Sequence, residues 1–166
     1  MSGLQREYKN LYNPALGSVI LYKFAEGYGQ IENKGTPLTL LYMVFPILFQ
    51  EQIFSLLAKT QSSSGLRKFI NKLYTKENSL SDITLSLPKR TEEFRNLTER
   101  SLRMALMTNL LVISAKDGVV FQNPKKKIKP ASVKDVDELL KGSRKLGKWC
   151  AQLTLFEIGN LLGLEF

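Results

Sequence analysis

The chain has 166 residues, of which 43% are hydrophobic and 23% charged, and its formal net charge is +9. These values predict one soluble globular domain over residues 1–166 and favour an acidic partner such as nucleic acid. The sequence contains no histidine, which excludes Ser-His and Cys-His catalytic pairs. Its one cysteine, Cys150, excludes an internal disulfide and a cysteine-rich zinc site. We therefore expect no cofactor or metal.

The N-terminus and the longest apolar run both argue against a secreted or membrane protein. The N-terminal residues contain no hydrophobic signal region. The apolar run over residues 38–49 is shorter than the roughly 20 residues that span a bilayer, and Pro46 interrupts it. We therefore expect a cytoplasmic protein with no membrane partner.

The first helix is predicted from its start signal. In Asn13-Pro14, the asparagine is a typical N-cap and the proline is favoured in the first helical turn. Apolar residues at helical spacing follow. Gly27, Gly29 and Gly35 then predict a loop, because closely spaced glycines usually mark the end of a regular element.

The next apolar stretch predicts a central helix with a bend. Thr36-Pro37 starts it, and residues 38–49 are apolar almost all round, as in a helix that is buried on every side. Pro46 lacks the backbone donor and its ring clashes with the preceding turn. We therefore expect this helix to bend or restart at Pro46.

A short strand is predicted farther along, over residues 78–87. Ile83, Leu85 and Leu87 alternate with other residues, which is the period of a strand with one buried face. We expect this strand to pair with the hairpin that follows it in the sequence. A long helix is expected to begin near Thr91.

A helix, a strand, a tight turn and a second strand are predicted in that order over residues 101–121. Asp117-Gly118 separates two β-branched runs, and glycine reaches without strain the positive φ that a hairpin turn requires. This order resembles the end of a winged-helix domain; an ordinary helix–hairpin connection in another α+β fold is the alternative. The predicted fold class is mostly α with a small β-hairpin (α+β), as a winged-helix-like single domain.

The sequence Gly142-Ser-Arg-Lys-Leu-Gly-Lys148 matches the first part of a phosphate-binding loop. Trp149 follows, where that motif needs Ser or Thr to hold magnesium, and the preceding residues have helical rather than strand spacing. We interpret the segment as a helix with a basic face, whose glycines allow close packing. The carboxylates are scattered and form no recognisable catalytic pair, so we predict no enzyme activity and no catalytic residues.

Two-thirds of the net positive charge lies in residues 124–148, which contain nine basic and three acidic residues for a net +6. Within them we predict an exposed, flexible basic segment at residues 124–130. Clustered cations bind phosphates, but flexible lysines seldom recognise particular bases. We therefore expect contact with DNA that does not depend on its sequence. A solvated charged loop is the alternative. The predicted nucleic-acid-binding residues are Lys125, Lys126, Lys127, Lys129, Arg144 and Lys145.

Several motifs together resemble a known family. They are Tyr12-Asn-Pro-Ala-Leu16, Phe45-Pro46-Ile47, the helix and hairpin over residues 103–121, Leu146-Gly-Lys-Trp149 and Leu162-Gly-Leu-Glu-Phe166. In this order and spacing they look like the middle component of bacterial three-component ABC ATPase systems, the group that includes Lamassu-type defence.

The resemblance implies a small non-enzymatic subunit, encoded beside an SMC-like ABC ATPase and an effector that is often a nuclease. Such a subunit is thought to link the two in defence against phages or plasmids. We expect the apolar C-terminal end, or the block at residues 38–49, to dock on the ATPase. The predicted partner-binding residues are Phe45, Trp149, Leu153 and Phe156.

A free-standing winged-helix transcription regulator is the alternative function. It would need a polar, basic recognition helix before the hairpin. The helix at this position carries Leu102, Met104, Leu106 and Met107, and is therefore rather apolar for a helix that reads a DNA groove.

Overall fold

The computed structural model describes residues 12–75, 82 and 85–166. Most of these residues are helical, and three short strands form one antiparallel sheet. In chain order the elements are α1 (Pro14–Gly29), β1 (Thr36–Pro37), a 3-10 helix (Leu38–Met43), α2 (Val44–Leu48), α3 (Glu51–Lys59), α4 (Gly65–Thr75), α5 (Leu87–Glu93), α6 (Arg95–Met107), β2 (Leu111–Ser114), β3 (Val119–Gln122), α7 (Lys134–Cys150) and α8 (Leu155–Leu162).

Helix α1 is the centre of the fold. The Asn13 side chain accepts a 2.8 Å hydrogen bond from the Ala15 backbone N–H, and Pro14 lies in the first turn, so the predicted helix start is confirmed. The helix packs chiefly against α7 and α6, and its Ile20 and Phe24 are fully buried. Contact with two neighbours explains why apolar residues occupy more than one of its faces.

Glycines let α1 and α7 approach until their backbones touch. A Cβ at Gly27 would overlap the Arg144 carbonyl oxygen, and a Cβ at Gly147 would overlap the Phe24 carbonyl oxygen. The prediction that a loop begins at Gly27 is therefore wrong, and α1 continues to Gly29. The reason is that Gly27 serves a contact between two helices rather than a turn.

The segment after α1 starts as a strand rather than as the predicted helix. Thr36 and Pro37 form β1, and the chain becomes helical only after them. Pro46 lies in the first turn of α2, where its missing N–H removes no helical hydrogen bond. The predicted interruption is confirmed, but it falls just after α2, where the helical segments on either side are bent by 100°.

The apolar block between residues 38 and 48 lies in the core. Leu40, Leu41 and Phe45 are fully buried there. Among the described residues, no single helix is long and apolar enough to cross a membrane; Leu38–Leu48 and Glu51–Lys59 reach that length and apolarity only as a bent pair.

The predicted hairpin is present as β2 and β3. Gly118 in its turn has a φ of 64°, the left-handed conformation for which glycine was expected there. β3 is the central strand of the sheet, with β2 antiparallel on one edge and β1 antiparallel on the other. The hairpin therefore gains a third strand from the segment that follows α1.

The strand predicted over residues 78–87 does not supply that third strand. Leu87 begins α5 and Leu85 is also helical, while residues 78–81, 83 and 84 lie outside the described residues. Leu87 is buried, so its apolar character reflects helix packing. The long helix expected from Thr91 is divided into α5 and α6, which meet at Phe94.

The predicted fold class, mostly α with a small β-hairpin, is confirmed. The order of helix, strand, turn and strand is present in α6, β2 and β3. The winged-helix resemblance and the single-domain bounds stay predictions.

Candidate functional site

The basic segment at residues 124–130, which we call the basic loop, is tied to the core. The Tyr22 hydroxyl in α1 donates a 2.5 Å hydrogen bond to the Lys126 carbonyl oxygen, and the Ile128 side chain packs against the core. Burial and the nearby Glu26 carboxylate raise the pKa of Tyr22, so its hydroxyl keeps the proton that it donates. The loop that was expected to be flexible is therefore anchored at two points.

The lysines of the basic loop are exposed, and no described residue forms an ion pair with them. They are Lys125, Lys126, Lys127 and Lys129. The helix that follows differs: in α7, the Lys141 ammonium lies 2.7 Å from the Asp137 carboxylate and the Lys134 ammonium lies 3.9 Å from Glu138. Positive charge without an ion-pair partner is thus concentrated in the loop, which is the arrangement that binds phosphates.

Arg144 and Lys145, also predicted to bind nucleic acid, have intramolecular partners. Arg144 is exposed, and its Nε lies 3.2 Å from the Glu26 carboxylate. The Lys145 ammonium donates hydrogen bonds to three carbonyl oxygens at the end of α3, where the last turn of a helix leaves most carbonyl oxygens without a helical partner. These belong to Leu57, Ala58 and Thr60, at 2.8 to 3.3 Å. As a correction, we assign Lys145 to helix capping and omit it from the DNA-binding surface.

The segment that resembles a phosphate-binding loop, residues 142–148, lies inside α7. Gly142 faces the side chains of Phe54 and Leu57, and Gly147 contacts α1. Backbone N–H groups inside a helix are bonded within it and cannot wrap a phosphate. The predicted interpretation as a packing helix is confirmed.

Two of the predicted partner-binding residues lie inside the protein. Phe45 and Trp149 have no exposed surface. The Trp149 ring centroid lies 5.5 Å from that of Phe69, and its indole N–H donates a 2.8 Å hydrogen bond to the Ser62 carbonyl oxygen. Both positions therefore belong to the core, and a partner cannot reach them in the folded chain.

The other two, Leu153 and Phe156, lie next to and within the C-terminal helix α8. Leu153 is partly buried, whereas Phe156 is 77% exposed. We call the exposed side chains of Leu155, Phe156 and Phe166, with the groove of about 360 Å³ that they line, the C-terminal apolar surface. Exposed apolar side chains grouped beside a groove are typical of protein contact sites.

The C-terminal apolar surface is built on well-defined backbone. Thr154 and Glu157 form a reciprocal capping box at the start of α8, and the hydrogen bonds from Thr154 lower the pKa of the Glu157 carboxyl. At its other end, Gly163 turns the chain with a φ of 65°, and the Leu164 N–H donates a 3.0 Å hydrogen bond to the Gly159 carbonyl oxygen. The last residues thus fold back along α8 and form one side of the groove.

A cleft that sequence patterns did not indicate lies between the end of α1 and the end of β3. It has a volume of about 460 Å³ and reaches the start of the basic loop at Pro124. Its lining comes from two segments far apart in sequence, so no local motif marks it. The one signal available was Phe121, an aromatic residue just before the lysine run. Its β-branched neighbours predict only a strand residue, but it is 39% exposed.

The described residues contain no group of three or more His, Cys, Asp or Glu side chains placed to hold a metal ion. The one cysteine, Cys150, is fully buried, and burial raises the pKa of its thiol. It therefore lacks the exposure and the thiolate character of a reactive cysteine.

Comparison with known proteins identifies the family. Neither the curated proteins nor the solved structures gave a significant match. The sequence model of a family described as "ABC-three component (ABC-3C) system Middle Component 3" matches residues 1–166. This match agrees with the resemblance carried by the motifs. The chain therefore belongs to the Middle Component 3 family of ABC-three component systems.

Proposed function

We propose that this chain is a non-enzymatic accessory subunit that links an SMC-like ABC ATPase to an effector in bacterial defence against phages or plasmids. The observation that carries the proposal is the family match over residues 1–166, because a middle component works as one part of a multi-component ABC system. A nuclease is the effector class that we expect. DNA, contacted without sequence preference, is the remaining partner.

The chemistry of the described side chains supports an accessory role. The buried Cys150 thiol is unsuited to nucleophilic attack. Lys145 is committed to capping α3, and the segment that resembles a phosphate-binding loop lies inside a helix. The catalytic steps are therefore assigned to the partner subunits.

The C-terminal apolar surface is the proposed contact with the ATPase. Large aromatic side chains near the centre of an interface contribute most of its binding energy, and Phe156 is the most exposed aromatic residue of this surface. The groove beside it offers room for a side chain of the partner. The basic loop, on a different segment of the chain, is the proposed DNA contact.

Co-expression with the encoded ATPase tests the proposal. The wild-type chain should co-elute with the ATPase in size exclusion, and Phe156→Ser should weaken the complex at least about tenfold. Met107→Ser is the matched control, because Met107 is also 77% exposed but lies at the end of α6. Migration of the wild-type chain as a free monomer beside its ATPase would contradict the proposal.

Activity of the purified chain provides a second test. It should hydrolyse neither ATP nor DNA, whereas the assembled complex should do at least one of these. Robust ATPase or metal-dependent nuclease activity that stays with the isolated chain through purification would refute the accessory role. Tight binding to one DNA sequence, without the ATPase, would support the transcription-regulator alternative.

A further inference from the structure

We infer that the cleft between α1 and β3 accepts an unpaired base of a single-stranded nucleic acid whose phosphates lie on the basic loop. The inference deepens the proposed function and rests on the DNA contact proposed there. The cleft volume of about 460 Å³ falls within the roughly 300–1,000 Å³ typical of sites for small ligands.

Phe121 provides an aromatic ring at the cleft. It is 39% exposed although it lies within β3. Gly35 packs against the tip of this ring, since a Cβ there would lie 2.8 Å from the Phe121 Cζ, and the absence of a side chain at Gly35 leaves room for the ring at the cleft. Every base has a π face, and single-stranded nucleic acids are commonly held by stacking on aromatic rings beside a basic groove.

The charged residues that line the cleft, Glu26 and Lys34, each have an ion-pair partner within the protein. The Lys34 ammonium lies 2.7 Å from the Glu32 carboxylate. The Glu26 carboxylate lies 3.1 Å from the Lys23 ammonium and 3.2 Å from the Arg144 guanidinium. A lining with internally paired charges suits a neutral heterocycle better than a phosphate, which would need uncompensated cations.

Two further observations point to a ligand here. Gln122 lines the cleft, and its Oε1 is buried without accepting a hydrogen bond from any described residue. If the Gln122 side chain turns toward the cleft, an N–H group at the edge of a base can donate to this unpaired oxygen. Glu32 and Asn33 are consecutive non-glycine residues with φ of 57° and 51°, at the rim that Asn33 lines. Such sparsely populated conformations cluster at ligand sites.

The basic loop supplies the complementary half of the site. Pro124 lines the cleft and the lysine run follows it directly, so a base in the cleft would bring its neighbouring phosphates to the loop. The bond from Tyr22 to Lys126 holds the loop in this position. The neutral cleft and the cationic loop thus match the two chemical parts of a nucleotide chain.

The test compares two labelled oligonucleotides of equal length, one with its bases and one made of abasic residues. Both carry the same phosphates, so only a base site distinguishes them. The 166-residue chain should bind the intact strand at least about fivefold more tightly, the lower range for stacking of one base on an aromatic ring. Phe121→Leu and Gln122→Met should each reduce this ratio toward one.

Val112→Leu is the matched control, because Val112 pairs with Phe121 across the hairpin and is also exposed but does not line the cleft. It should leave the ratio unchanged. A fluorescent adenine analogue in the strand should change its emission on binding to the wild-type chain and not on binding to Phe121→Leu, which a merely structural role of Phe121 would not predict. Far-UV circular dichroism verifies that each variant is folded.

Equal affinity of the wild-type chain for the intact and abasic strands would overturn the base site while leaving the loop contact and the proposed function intact. A preference that survives in both cleft variants would also overturn it, since the base would then bind elsewhere. Failure to bind either strand at low salt would remove both the loop contact and the base site.

Discussion

The Tyr22 hydroxyl donates a 2.5 Å hydrogen bond to the Lys126 carbonyl oxygen, 104 residues farther along the chain. This bond ties the basic loop to α1, the helix at the centre of the fold. The loop lysines therefore start from fixed backbone positions. A charge cluster that is already ordered loses less conformational entropy when it binds phosphates than a free segment would.

Tyr22→Phe should release the basic loop without unfolding the protein. Loss of one partly buried hydrogen bond is expected to lower the free energy of unfolding by about 0.5–1.5 kcal/mol. Hydrogen exchange should accelerate in residues 123–130 more than elsewhere. Tyr74→Phe serves as the control, because Tyr74 is 48% exposed. Equal protection of the loop in Tyr22→Phe and wild type would show that this bond does not anchor it.

Replacing the four loop lysines, Lys125, Lys126, Lys127 and Lys129, by alanine should weaken DNA binding to every sequence alike. Each phosphate contact contributes about 0.9 to the log–log salt slope, so the slope should become shallower by up to about 3.6. Affinities of the assembled complex for two unrelated duplexes across a salt series measure this. An unchanged slope would identify the loop as a solvated charged segment, and a loss confined to one duplex would favour a sequence-specific regulator.

Lys145→Met should act on stability and not on DNA affinity. It removes the ammonium that caps the carbonyls at the end of α3, which is expected to lower the free energy of unfolding by about 1–2 kcal/mol. Lys141→Met is the control, because its pair with Asp137 is exposed and contributes little to stability. Denaturant titrations measure both variants. A Lys145→Met protein with wild-type stability and reduced DNA affinity would restore Lys145 to the DNA surface.

Gly147→Ala should destabilise the protein although alanine is the better helix former. The added Cβ overlaps the Phe24 carbonyl oxygen, so α1 and α7 must separate. We expect a loss of about 2 kcal/mol or more, which corresponds to a fall in Tm of roughly 4–8 °C for a chain of this size. Gly29→Ala, whose Cβ would lie 3.7 Å from the nearest atom, should be neutral or stabilising. Similar melting of both variants would exclude a backbone contact at Gly147.

Stability should decline between pH 9 and 10 because of Cys150. Burial raises the pKa of this thiol in the folded state, whereas the unfolded thiol ionises near its ordinary value of about 8.5. Its contribution to stability is therefore complete below that pH and is lost as the pH rises, by about 1 kcal/mol over this unit. Cys150→Ala, although less stable overall, should show a flatter dependence in urea titrations. Parallel profiles for variant and wild type would show that the thiol is not protected by burial.

The elements that depend on a few neighbouring residues could be predicted from the sequence. Asn13-Pro14 starts α1 because the cap bonds the N–H of Ala15, two residues away. Asp117-Gly118 turns the hairpin because the conformation of glycine is a local property. The order of α6, β2 and β3 followed from residue periodicity.

Only the tertiary structure decided which of the singled-out residues reach the surface. Apolar side chains are favourable in a core and in a docking surface alike, so composition did not separate the buried Trp149 from the exposed Phe156. Lys145 and Lys126 both belong to the basic stretch of residues 124–148, yet the first caps α3 and the second faces solvent. Such differences depend on which segments meet after folding. The family motifs and the net charge are properties of the sequence itself, whereas the cleft beside the basic loop exists only because α1 ends next to β3.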